Sequence, residues 1–147
     1  MQVRVKVPAG SAVPAYETPG ACGFDFAAAE AVTFGPKEFK LVETGVVVEV
    51  PEGHVLLTLP RSSTFKKLGL VQVNSGGVID RDYCGDGDTI KFPFLNLRDE
   101  PVTVEKGARI GQGMFVRVSR ADFLAVDSMG NKDRGGFGTT GGHGTAA

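Results

Sequence analysis

Apolar and polar residues alternate along most of this chain in short runs. A glycine or proline interrupts them about every ten residues, the spacing of strands and turns rather than of helices. Met1-Gln2-Val3-Arg4-Val5-Lys6-Val7 sets valines on one face and charges on the other, which predicts a strand and not a signal peptide. Residues 8–20, with three prolines and two glycines, predict an ordered loop. In Ala21-Cys22-Gly23-Phe24-Asp25-Phe26-Ala27-Ala28, Phe24 and Phe26 share a face and Asp25 takes the other. Strands are predicted over residues 32–34, 39–42, 44–50 and 54–59, with turns at Pro36 and Pro51-Glu52-Gly53. The run Val46-Val47-Val48 predicts a strand covered on both faces.

The single helix is expected within residues 59–69. Ser62 or Ser63 can cap its start, Lys66 and Lys67 lie near its end, and Gly69 can terminate it. Arg61-Ser62-Ser63 also brings a guanidinium and two hydroxyls to free backbone N–H groups, so it is either an anion site or a capped surface helix.

Residues 74–86 concentrate the chemistry, with two carboxylates and a phenol within the four residues 80–83. Val78 and Ile79 predict a strand end that packs inward, and Gly76 and Gly77 let a backbone approach a flat ligand. Asp80 would then project near that ligand, where it can act as a base; the alternative is a hairpin with solvated turn residues.

Past this hairpin, residues 89–97 place Ile90, Phe92 and Phe94 on one face and Lys91 away from it, with Pro93 marking an edge or bulged strand. Residues 102–104 predict a short strand. Arg109-Ile110-Gly111-Gln112-Gly113-Met114-Phe115 starts another that runs towards Val118. Gln112, flanked by glycines that open backbone access, is a candidate ligand contact. Phe123-Leu124-Ala125-Val126 predicts the last strand. Seven glycines among residues 128–147 leave that tail without a core, yet its cation, aromatic and hydroxyls suit a lid over a phosphorylated ligand.

Composition narrows the field. A chain of 147 residues makes one domain with a real core, and the pattern sets its class as all-β, a barrel or sandwich. Net charge of −1 supplies no broad basic field, so no nucleic acid partner is expected. No apolar run has the length to cross a bilayer, so no membrane partner is expected either. Cys22 and Cys84 fit no metal-ligand spacing; reduced thiols in a cytoplasmic protein are the simplest account, with one disulfide as the alternative.

Five segments, residues 21–28, 60–63, 74–85, 109–112 and 134–141, resemble in order and near-family spacing the five motifs of the trimeric deoxyuridine triphosphatases. Gly77-Val78-Ile79-Asp80-Arg81-Asp82-Tyr83 is the most specific of them. The resemblance implies a jelly-roll-like β-barrel of the β-clip type over residues 1–127, with a glycine-rich C-terminal arm over residues 128–147. It further implies a homotrimer whose active sites are shared between subunits, acting on dUTP with Mg²⁺ to give dUMP and pyrophosphate.

By the same resemblance Asp80 is the general base that activates water for in-line attack on the α-phosphorus. Tyr83 packs on the deoxyribose, while Asn74 and the backbone of Gly77, Val78 and Ile79 read the uracil edge. Arg61, Ser62, Ser63 and Gln112 match phosphate-contacting positions, and Lys91 lies where the family often contacts substrate. Asp25 matches a carboxylate that holds the metal through water. In the tail, Arg134 matches a phosphate contact, Phe137 an aromatic that stacks over the base, and Thr139 and Thr140 hydroxyls on phosphate. Arg109 is expected as an ion-pair partner. The chain departs from the family in the short Gly135-Gly136 spacing, in the long acidic hairpin end from Cys84 to Asp88, and in Cys22. A dCTP deaminase or bifunctional relative on the same fold is one alternative, disfavoured by Asp82-Tyr83 and the glycine-rich aromatic tail; a catalytically silent regulatory trimer is the other, disfavoured by the retained Asp80, Tyr83, Gln112 and tail.

Overall fold

The structure, a computed structural model, describes residues 1–9 and 11–136. Eleven strands and one short helix follow in order: β1 (Val5–Lys6), β2 (Phe24–Ala27), β3 (Val32–Phe34), β4 (Phe39–Glu43), β5 (Val47–Val48), β6 (His54–Pro60), α1 (Thr64–Leu68), β7 (Leu70–Gln72), β8 (Gly77–Ile79), β9 (Lys91–Asn96), β10 (Val102–Val104) and β11 (Arg109–Arg117). Every pairing is antiparallel. A four-stranded sheet in the order β2-β11-β6-β8 faces a three-stranded sheet in the order β4-β9-β7 across the core, and the pairs β1-β5 and β10-β3 complete the wrap.

One aromatic cluster joins these sheets. Phe24 and Phe26 point inward from β2 as their alternation predicts, and Phe92 and Phe94 stack from β9 with ring centroids 5.9 Å apart. Each such side chain contributes about 1.5–3 kcal/mol by leaving water. Gly111 and Gly113 belong to this packing. A methyl group at Gly111 would overlap the Phe92 ring, and one at Gly113 would press on Phe24, Phe26 and Leu56. The glycines beside Gln112 therefore admit core aromatics rather than opening the backbone to a ligand.

The helix ends as expected: Gly69 is left-handed at φ 66°, and Arg98 donates to the Lys67 carbonyl. Its start differs, because Ser63 sits at the capping position without a side-chain hydrogen bond. The Thr64 hydroxyl instead accepts from the Arg61 N–H at 3.1 Å. Neither Ser62 nor Ser63 makes a side-chain hydrogen bond among the described residues.

Several strand expectations are corrected. Residues 1–7 and 44–50 shrink to the two-residue strands β1 and β5, although Val46, Val47 and Val48 are all buried. Pro93 lies in a central strand, flanked by β4 and β7. Its carbonyl accepts from Val73, one residue past the end of β7, so the missing N–H faces a place where the ladder has already run out. Residues 123–126 form no strand. After Arg117 the chain is tied back by the Val118 N–H to the Gly53 carbonyl, then leaves the sheet. Both edges of β11 are taken by β2 and β6, so no ladder is open to it there; Phe123 is left 98% exposed.

Candidate active site

Two polar clusters occupy the four-stranded sheet. The first lies where β2, β11 and the end of β6 meet. Gln112 stands opposite Asp25 on one side and Leu59 on the other, and Arg61 leaves β6 one residue after Pro60. On a regular strand, residues three apart face opposite ways. Between Arg109 and Gly111 the register with β2 shifts by one residue, and this bulge turns both Arg109 and Gln112 towards the face that carries Asp25.

There the Asp25 carboxylate, only 14% exposed, is held by Arg61 at 3.1 Å and Arg109 at 3.3 Å. Arg109 also binds Glu17 at 2.6 Å; that hydrogen bond and the charge of Glu17, with Asp25 adding to both, raise its pKa above the ordinary value. The ion-pair role expected of Arg109 is thus what the geometry gives. Asp25 is covered and not a solvated strand residue. Its Oδ2, the oxygen that Arg109 approaches at 3.3 Å, is buried, and that contact is too poorly aligned to be a full hydrogen bond. Gln112 donates from Nε2 to the Pro60 carbonyl at 3.2 Å. A guanidinium, two unbonded hydroxyls and an amide thus gather at one strand end, the chemistry that grips phosphate oxygens.

The second cluster is the hairpin past β8. Its glycines are again spent internally: a methyl at Gly77 would overlap the Thr58 hydroxyl, and one at Gly76 would press on Leu59. Ser75 takes the left-handed conformation at φ 60°. Of the apolar pair, Ile79 packs against the core but Val78 is 63% exposed, which corrects the expectation that both turn inward. Asp80 is exposed, and its carbonyl accepts from the Tyr83 N–H at 3.3 Å, closing a turn. The Tyr83 hydroxyl donates to the Thr89 carbonyl at 3.1 Å, which ties its side chain to the far limb of the hairpin. Asp86 is tied to Lys6 at 2.9 Å, anchoring the acidic hairpin end to β1. Asp80, Asp82, Val78, Val55, Leu57 and Arg120 are among the residues lining an open groove of about 1200 Å³.

One chain keeps the two clusters apart. Leu56 pairs with Ile79, so Asp80 falls beside Val55; Arg61 lies six residues further along the strand, about 20 Å away at ~3.3 Å per residue. Lys91 belongs to neither cluster and pairs with Glu43 at 3.3 Å. Arg134 is exposed, with no ion pair among the described residues. Phe137, Thr139 and Thr140 lie outside the described residues. No group of three or more histidine, cysteine or acidic side chains suited to a metal occurs among the described residues. The sequence reading missed Gln72, a polar residue at an inward position of β7 that bonds Asn74. The signal was present, since Gln72 interrupts the apolar alternation begun by Leu70.

A cluster of polar groups with phosphate-binding chemistry and a carboxylate hairpin, on one antiparallel fold, are features suited to a β-folded nucleotide hydrolase. The comparisons with known proteins make it specific. The dUTPase family model matches residues 10–141. A prophage-derived deoxyuridine 5'-triphosphate nucleotidohydrolase of Bacillus subtilis is 48% identical over 80% of this chain and 82% of its own. The corresponding protein of Lactococcus lactis is 41% identical over 90% of each. Among solved structures, a dUTPase from Streptococcus mutans superposes with a TM-score of 0.75 at 33% identity, covering 81% of this chain and 98% of its own. The chain belongs to the dUTPase family, and its reaction is the hydrolysis of dUTP to dUMP and pyrophosphate.

Proposed function

We propose that the active site is assembled between copies of this chain in a homotrimer, with the hairpin of one copy facing the phosphate cluster of another. The observation that carries this reading is the distance of about 20 Å along β6 between Asp80 and Arg61, since a nucleotide whose α-phosphorus sits at Asp80 cannot also have its phosphates at Arg61 of the same chain. A second feature supports self-association. The outward face of β4-β9-β7 carries Phe39, Leu41, Pro93, Leu95 and Val71 in register, with Phe39 51% and Leu41 54% exposed.

In this site Asp80 takes a proton from water and aims the oxygen at the α-phosphorus, in line with the departing pyrophosphate. Arg61, Ser62, Ser63 and Gln112 hold the phosphates, and much of the rate comes from that positioning. Asn74 and the backbone of Gly77, Val78 and Ile79 read the base; Tyr83 covers the sugar and excludes a 2'-hydroxyl. Lys91 adds a cation at the rim. The arm, residues 128–147, closes over the nucleotide with Arg134, Phe137, Thr139 and Thr140. Mg²⁺ bound with the triphosphate would supply charge neutralisation for the leaving group. The residues fit such a cation held through water: Asp25 would accept from a metal-bound water at Oδ2, which Arg109 approaches at 3.3 Å without a full hydrogen bond, and Mg²⁺ keeps most of its waters. The setting is cytoplasmic, in keeping with the exposed, unpaired thiols of Cys22 and Cys84.

Subunit complementation tests the assembly. Asp80→Asn and Arg61→Ala are each expected to be inactive, but chains unfolded and refolded together in equal amounts should recover about a quarter of wild-type dUTP turnover, because random mixing restores that fraction of shared sites. A mixture no more active than its components would place both residues in one chain's site and end the reading.

A further inference from the structure

Gln72 is 5% exposed on the inward face of β7, in the layer between the two large sheets. Its Nε2 donates twice, to the Thr58 carbonyl at 3.1 Å and to Asn74 Oδ1 at 2.9 Å, while its Oε1 is buried with no partner. Asn96, equally buried, shows what a purely structural amide does here. Its Nδ2 donates to the Gly35 and Glu100 carbonyls and its Oδ1 accepts from the Arg98 N–H. Gln72 satisfies one end and leaves the other empty, a costly arrangement in a dry interior.

The polarity of this pair is not free. A backbone carbonyl only accepts, so the end of Gln72 that meets Thr58 must be the NH₂ end. That NH₂ also meets Asn74, which must therefore turn its oxygen inward. Asn74 Nδ2 is left pointing the other way on an exposed side chain at the hairpin base, without a hydrogen bond among the described residues. We infer that Gln72 is a positioning residue that fixes the Asn74 amide with its donor outward, and that this sets the preference for a carbonyl over an amino group at position 4 of the pyrimidine. The inference rests on Asn74 contacting the base. A donor held outward bonds the uracil carbonyl and opposes the cytosine amino group, because two N–H groups then face each other.

Pyrophosphate release from dUTP and from dCTP, measured as kcat/KM with melting temperature alongside, tests it in three variants. Gln72→Leu removes the lock, so the dUTP-to-dCTP ratio should fall about tenfold, the worth of one hydrogen bond no longer directed. Its melting temperature is read alongside because the change removes an unpaired buried acceptor and also leaves the Thr58 carbonyl without this donor, two effects of opposite sign that act on both substrates alike. Gln72→Glu presents only acceptors to Asn74, turns the amide round and should lower the ratio further; if the buried carboxylate unfolds the chain, Gln72→Leu carries the test. Asn74→Ala should lower the ratio as well. A packing role for Gln72 would depress both substrates alike. Ratios within twofold of wild type in Gln72→Leu, with Asn74→Ala reduced, would overturn the inference and leave the base contact standing. An unchanged ratio in Asn74→Ala would remove the base contact itself and the inference with it.

Discussion

The two ends of the β2-β11-β6-β8 sheet share one ladder and are built in opposite ways. At the end where Arg61 and Gln112 lie, the charged groups and the amide already have partners, and only the hydroxyls of Ser62 and Ser63 make no hydrogen bond among the described residues: Glu17, Arg109, Asp25 and Arg61 form a continuous chain of ion pairs, and Gln112 is bonded to Pro60. At the other end, Asp80 carries no side-chain hydrogen bond among the described residues and Val78 is exposed. Phosphate binding needs cations held at fixed distances before the anion arrives, which a chain can provide alone through bulges and buried ion pairs. A base that must touch water and an in-line phosphorus needs to stay accessible until the rest of the site is brought to it. The contrast teaches that this chain preorganises the cluster proposed to hold phosphate and leaves the carboxylate proposed as the base open.

Replacing Asp80, the proposed base, should break the comparison most sharply. Asp80→Asn removes the proton acceptor while keeping the shape, and dUTP turnover should fall about 10²–10⁴-fold, the usual contribution of a general base. Because Asp80 ties no other side chain down, the melting temperature should stay within a degree or two of wild type, since exposed changes usually cost within about 0.5 kcal/mol. Pyrophosphate release and calorimetry on the same sample read both. Turnover within tenfold of wild type would move the base elsewhere.

The packed end should answer in stability instead. Gly111→Ala drives a methyl group into the Phe92 ring at the position beside Gln112, and overpacking of this kind costs about 1–3 kcal/mol. Denaturant unfolding should show the loss. Gly87→Ala, where nothing lies within 4 Å of the added carbon, should unfold near wild type. Equal midpoints for the two would mean that the sheet yields at Gly111 and does not hold Gln112 by packing.

These glycines also show where the sequence was legible and where it was not. Alternation at Phe24, Phe26, Phe92 and Phe94 announced the core, and Gly69 announced the end of the helix, because both signals are local. What a glycine makes room for is not local. Gly77 and Gly111 suggested openness to a ligand, whereas Thr58 and Phe92 from other strands fill those spaces. Pro93 suggested an edge because the length of its neighbour β7 could not be known from the chain alone. The apolar run at residues 123–126 suggested a strand because strand propensity says nothing about whether an edge is available. The residues of the candidate site came mainly from motif resemblance, while the ion pairs around Asp25 and the bond from Gln72 to Asn74 depend on a bulge and on an inward-facing amide.

The mildest test asks how much of the paired end is mutual support. Asp25→Asn leaves the Arg61 and Arg109 guanidiniums facing each other across a neutral amide. Breaking a fully buried pair costs about 3–5 kcal/mol; with Arg61 28% and Arg109 45% exposed, about 1–2 kcal/mol is expected here. Glu17→Gln touches only the outer link, where both side chains are about half exposed, and should cost under about 0.5 kcal/mol. High salt should narrow the gap between wild type and Glu17→Gln but barely alter that for Asp25→Asn, since screening reaches exposed pairs first. Unfolding in low and high salt separates the two. If both substitutions prove equally mild, the carboxylate of Asp25 does not hold Arg61 in place, and the preorganised grip would have to come from the packing around β11 alone.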